Sequence, residues 1–167
     1  MNKLAALRSA FEWLLEAITI FLMVSLAVVV IVGVIYRTAG VALVWYDEVA
    51  SVQLAWLTYY GSALAALKRA HIGVPGLVNA LRPNLRVPLV IVSRAIVIGF
   101  FVLLAWLGYE VLVVLEGDTL ISLPDVSTQI TQSVIPIGAV LFIIAELVNL
   151  PLLLREARAP LGAPDQA

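Results

Sequence analysis

The sequence predicts an all-α integral membrane protein with four transmembrane helices, both termini cytoplasmic, and a short amphipathic interfacial segment between helices 2 and 3. Three observations predict it. Apolar residues make up 63% of the chain and charged residues 13%, and the mean hydropathy of +1.08 lies far outside the range of soluble domains. Four apolar runs, at 17–36, 48–67, 91–112 and 128–154, each approach or exceed the roughly 20 residues that cross about 30 Å of hydrocarbon. The basic residues are sharply divided between alternate connections. Lys3, Arg8, Lys68, Arg69, Arg82, Arg86, Arg94 and two in the tail fall on one side, and Arg37 alone falls on the other. The positive-inside rule assigns the nine to the cytoplasm.

Helices are the expected form because strands with open edges leave backbone groups unpaired in lipid, and the runs lack the two-residue alternation of a barrel. A cytoplasmic segment, 1–16, precedes helix 1. Its basic residues before an apolar run resemble the start of a secretory signal, but the run to Tyr36 exceeds a signal's apolar core, so it reads as a retained helix. Helix 2 opens on the acids Asp47 and Glu48 and closes on Lys68, Arg69 and His71. These charges complement the two ends of a helix dipole, and Asp47 is suited to cap free amides. Trp45 and Tyr46 sit where an interfacial aromatic belt would place them, whereas Trp56, Tyr59 and Tyr60 lie deeper. Gly61 and Ala65, like Ser62 and Ala66, form small-xxx-small pairs of the kind that let another helix come close.

Residues 72–90 are neither polar enough for a plain loop nor long enough for another span. Leu77, Val78, Leu81 and Leu85 share one face at helical spacing and Asn79, Arg82 and Arg86 the other, as in a helix lying along anionic headgroups. Pro75, Pro83 and Pro88 are expected to break it into pieces, and a proline-rich loop is the alternative. Lys68, Arg69, His71, Arg82 and Arg86 are the predicted cytoplasmic interface anchors. The connection 113–127 carries Gly117, Asp118, Pro124 and Asp125, all turn formers, with Ser127 or Thr128 as a helix cap. Pro136 and Gly138 within helix 4 permit a kink or a close approach. The tail occupies 155–167.

Deep charge in a span is expensive and persists chiefly for a reason. Arg94 early in helix 3 and Glu146 late in helix 4 reach the same cytoplasmic third by antiparallel threading. They are expected to pair, unless Glu146 faces another subunit and Arg94 snorkels alone. Glu16 and Glu110 lie near helix ends, within reach of water. Cysteine is absent and His71 is the sole histidine, which leaves no thiol chemistry and no paired-histidine haem site. Phosphate-binding glycine loops, zinc-spaced histidines and nucleophile elbows are also missing. The expectation is no enzyme, no cofactor in this chain and no nucleic-acid partner.

Trp45, Asp47, Glu48, Trp56, Gly61, Ala63, Arg69, His71, Ile72 and Val74, followed by Thr119, Leu123, Pro124, Pro136 and Gly138, form a pattern. It resembles the small membrane (Q) subunit of tripartite ATP-independent periplasmic (TRAP) transporters, the DctQ-like family. Ser133 departs from it, standing where an aromatic residue is more usual. The resemblance implies a scaffold in the bacterial inner membrane, partnered by membrane lipids, a large multi-span permease of the M type and a periplasmic substrate-binding protein. It also implies sodium-coupled import of an organic acid or similar solute, with the sodium held by the partner. Trp45, Asp47, Glu48, Asp118 and Asp125 would then be docking or cap residues. Trp56, Gly61, Ala65, Arg94 and Glu146 would be helix-packing or subunit-interface residues. A different class, an autonomous homo-oligomeric transporter or channel, would instead need Glu146 or Arg94 for turnover. A membrane enzyme subunit is disfavoured by the missing ligands.

Overall fold

A computed structural model describes residues 3–70 and 83–158, and every described element is helical. Helix α1 spans Lys3–Thr38, α2 Tyr46–Leu67, α3 Pro83–Val114, α4 Thr128–Gln132 and α5 Val134–Arg158. Among the described residues, three segments are long and apolar enough to cross a membrane: Ala6–Thr38, Arg86–Val114 and Thr128–Glu156. The fourth expected span, α2, does not reach that composition because Gln53, Thr58, Tyr59, Tyr60 and Ser62 dilute its apolar residues.

The long helices pack in the order α1, α2, α5, α3, so α2 and α5 are the inner pair and α1 and α3 the flanks. A central cluster joins Leu15 of α1, Ala63, Ala66 and Leu67 of α2, and Phe142 and Ala145 of α5, with Val97 and Phe101 of α3 packed against it. The Phe101 and Phe142 rings stack 3.7 Å apart between centroids. The flanks leave large side chains outward, among them Phe21, Val28 and Ile31 of α1 and Ile96, Phe100 and Leu103 of α3. Such surface suits lipid or another protein, not water.

Element ends depart from the sequence expectation in three places. The segment 1–16 is helical from Lys3 and continuous with the first span. Its Phe11, Leu14 and Leu15 recur at helical spacing with no breaker among them, and Leu15 is buried. At 1.5 Å per residue α1 is therefore about 54 Å long. Pro88 does not break the chain: α3 runs continuously from Pro83 through it. A proline is tolerated early in a helix, where few carbonyls lie upstream to be deprived. Residues 71–82, with most of the expected amphipathic segment, lie outside the described residues, as do His71 and Arg82.

The third difference is in the last span, which is interrupted at Ser133. Pro136 lacks the amide that would bond to the Gln132 carbonyl, and the chain tightens there, with the Ser133 amide donating to Ile130 O at 3.3 Å, before the regular helical bond returns from the Ile137 amide to Ser133 O at 3.2 Å.

Close contacts occur at Gly138, where the sequence allowed one, and at Gly108 and Gly33. A Cβ on Gly138 would lie 2.7 Å from the Tyr59 Cβ, and one on Gly108 would lie 2.9 Å from the Ile135 Cγ2. The ring of Tyr46 covers Gly33 more tightly still. At Gly61 a Cβ would meet nothing within 4 Å. The expected helix approach at Gly61 and Ala65 is thus not made by this chain, because the buried face of α2 is that of Ala63, Ala66 and Leu67.

Candidate functional site

At one end of the bundle the start of α2 meets the connection 115–127. The Glu48 carboxylate accepts hydrogen bonds from the amides of Ile121 (3.1 Å) and Ser122 (2.8 Å) and from the Ser122 hydroxyl. A carboxylate taking several donors is a strong local anchor. The connection is folded on itself as well: the Leu120 amide donates to Val126 O (3.0 Å), the Val126 amide to Leu123 O (2.9 Å) and the Thr128 amide to Asp118 O (2.9 Å). Gly117 turns the chain at φ +90°, a conformation open to glycine. Ser127 then caps α4 by accepting from the Gln129 amide at 3.2 Å, and the Gln129 side chain donates to Leu112 O near the end of α3 at 2.8 Å. The connection is an ordered structure, pinned to three helices.

Asp47 is not the cap of α2. Helix α2 begins at Tyr46, so Trp45 takes the cap position, and it makes no side-chain cap bond. Asp47 is exposed within the first turn, where its charge still complements the helix dipole. Asp118 and Asp125 are likewise exposed. Glu48 is committed to holding the connection in place.

In the middle of the bundle, Trp56 donates its indole N–H to Thr131 O at 2.8 Å. Gln53 donates to the Ser25 hydroxyl at 3.3 Å, while its own Oε1 is buried without a partner in the protein. Arg94 and Glu146 are brought together, with Nη1 donating to both carboxylate oxygens at 2.9 and 2.8 Å. Glu146 is 3% exposed, whereas the Arg94 side chain keeps 32% of its surface open. The pair ties α3 to α5.

The opposite end is a charge clamp. Lys68 binds Glu16 and, at 3.7 Å, Glu12, both on α1. Arg69 binds both oxygens of Glu156 on α5. Two successive residues therefore hold two different helices. The Glu16 carboxylate raises the Lys68 ammonium above its ordinary 10.5 by accepting its hydrogen bond, against some desolvation. Glu156 raises Arg69 in the same way.

Arg69 reaches this position through a left-handed backbone, φ +58°. The Ala70 amide donates to Ala65 O at 2.9 Å and the Arg69 amide to Ala66 O at 3.1 Å, the bond pair of a Schellman ending, where glycine is usual. Asn149, 2% exposed, donates to the carbonyls of Ala66 (2.8 Å), beside the Arg69 bond, and Leu67 (3.0 Å), reinforcing the end of the helix where carbonyls run short of backbone donors. Arg8 adds a long contact to Leu67 O at 3.5 Å.

Arg86 does not serve as a surface anchor. It lies in the first turn of α3, is 4% exposed and is engaged within the protein. Sequence reasoning missed Ser122, Glu156 and Asn149. Asn149, an amide in an apolar helix, was the one with a readable signal, since a polar group there needs partners.

Long apolar helices, outward apolar flanks and polar groups spent on joining helices define the class: a helical membrane protein with several spans. Within that class the chain belongs to the DctQ family. The family described as "Tripartite ATP-independent periplasmic transporters, DctQ component" matches residues 26–156, from within α1 to the end of the last span. It is a family of transporter components. No curated protein matches the chain.

Proposed function

We propose that the chain is the small scaffold subunit of a tripartite importer in the bacterial inner membrane. In this reading it packs along a large M-type permease that binds sodium and moves the solute, an organic acid or similar small molecule brought by a periplasmic binding protein. The acidic end, with Asp47, Asp118 and Asp125, faces the periplasm near that protein, and the clamp of Lys68 and Arg69 faces the cytoplasm. Helix α2 is the fourth span, shielded by α1 and α5.

The observation that carries this reading is the contrast between the outward faces of the helices. Helices α1 and α3 present large apolar side chains outward. Helix α2 presents Ser51, Leu54, Ala55 and Thr58, exposed, continuing to half-buried Gly61 and Ala65 with open space over Gly61. Its hydroxyls are satisfied within the helix: Ser51 donates to Glu48 O and Thr58 to Leu54 O, each at 2.8 Å. A face on which Leu54 is the one exposed bulky side chain, among small and self-satisfied residues, suits a second helix better than lipid tails.

The test is expression beside the large permease of its own system, with an affinity tag on this chain alone. Recovery of a stable complex in mild detergent is expected. A purified homo-oligomer that moves solute by itself in liposomes would overturn the reading and favour the autonomous transporter.

A further inference from the structure

Among the described residues, the most exposed large apolar side chain is that of Ile121, at 95%. It lies in the connection between the two spans Arg86–Val114 and Thr128–Glu156, outside the stretches where lipid would cover it. A mobile loop tip would make such exposure unremarkable, but Ile121 is held: its own amide and that of Ser122 donate to Glu48, and Leu120 beside it is bonded to Val126. Val44 and Trp45, in the turn just before α2, are exposed at the same corner. An apolar knob fixed by a carboxylate clamp has its ordering cost met before any partner arrives, which favours tight docking.

The surroundings decide the partner. Asp47, Glu116, Asp118 and Asp125 are all exposed around this end, and Arg37 is the sole basic residue in the connections there. An anionic lipid headgroup layer would repel such a corner. A soluble protein offering an apolar depression with a basic rim would attract it, in the usual arrangement of an apolar centre and a charged rim.

We propose that Ile121 is the apolar anchor by which this subunit engages the periplasmic binding protein, with Glu48 as the residue that positions it. The proposal rests on the functional reading above. Glu48 thereby acts on docking through the loop, not by touching the partner.

The experiment uses the complex of this chain with its permease in nanodiscs and the purified binding protein of the same system as the probe. Ile121→Ser is expected to weaken binding about tenfold, mainly through faster dissociation, with Ile121→Val close to wild type. Glu48→Gln is expected to weaken it less, and to increase amide exchange at residues 120–122, which the Ile121 variants leave unchanged. The melting temperature of the Ile121→Ser complex should equal the wild type, since the side chain packs on nothing. Unchanged affinity in Ile121→Ser overturns the proposal. So does an Ile121→Cys fluorophore conjugate that reports a lipid-like environment before the binding protein is added, because lipid would then be the occupant. Failure of the wild-type complex to bind the protein at all overturns the functional reading, and the anchor with it.

Discussion

Trp56 of α2 hydrogen-bonds the backbone carbonyl of Thr131, 2.8 Å from its indole nitrogen, two residues before the interruption at Ser133. The bond supplies a donor to a carbonyl that the broken helix does not pair in the regular way, and it fixes α4 against α2. Trp56→Phe keeps most of the ring and removes the donor. The expected loss is about 1 kcal/mol, read as a lower melting temperature in detergent, and Trp56→Ala should lose more by opening a cavity as well.

Glu146 and Arg94 provide a sharper test by comparison of single and double variants. Arg94→Leu strands a carboxylate that is 3% exposed, and breaking a buried pair in this way costs about 3–5 kcal/mol. The double variant Arg94→Leu, Glu146→Leu should recover most of that loss, because the cost lies in the unpaired charge. Equal destabilisation in the single and double variants would mean that the pair does not act as a unit.

Gly138 and Gly61 should respond oppositely to the same change. Gly138→Ala forces its methyl toward Tyr59, 2.7 Å away, with an expected cost of about 1–3 kcal/mol for overpacking. Gly61→Ala enters open space and should stabilise the isolated chain by up to about 1 kcal/mol through helix propensity. Thermal unfolding of both variants without the permease distinguishes them.

Lys68 predicts a pH signature. Its folded value lies above the ordinary 10.5, so its contribution is complete below about pH 10.5 and disappears as pH rises through the folded value. Wild type and Lys68→Met should therefore keep a constant stability difference from pH 7 to 9 and converge in strongly alkaline solution. Added salt should narrow the difference as well, because the pair is exposed.

Three of the four expected spans were readable because the membrane imposes one strong demand, a long stretch of greasy helix, and α1, α3 and the last span meet it in their residues, whereas α2, diluted by polar groups, does not. Helix ends were less readable. Residues 1–16 read as a cytoplasmic segment before the first span, yet Glu12 and Glu16 lie on the same continuous helix and meet Lys68 on another. The pairing of Arg94 with Glu146 could be anticipated from antiparallel threading alone. Glu48 could not be read as a loop clamp, since its partners lie 73 and 74 residues away and a serine in a turn carries no mark of them. Small residues on α2 were visible in sequence, but which of them touched a helix of the same chain was not. Two glycine-containing faces look alike until the neighbour is placed, and Gly138, not Gly61, received it.

Crosslinking from position 61 tests the scaffold role most directly, and the absence of native cysteine makes it clean. A Gly61→Cys variant and a Phe100→Cys control on α3, each expressed with a permease carrying single cysteines along its outer helices, are oxidised in native membranes. The prediction is a disulfide-linked heterodimer from position 61 at one helix of the permease, with little from position 100. Crosslinking of position 61 only to another copy of this chain, or to nothing while position 100 reacts, would contradict it.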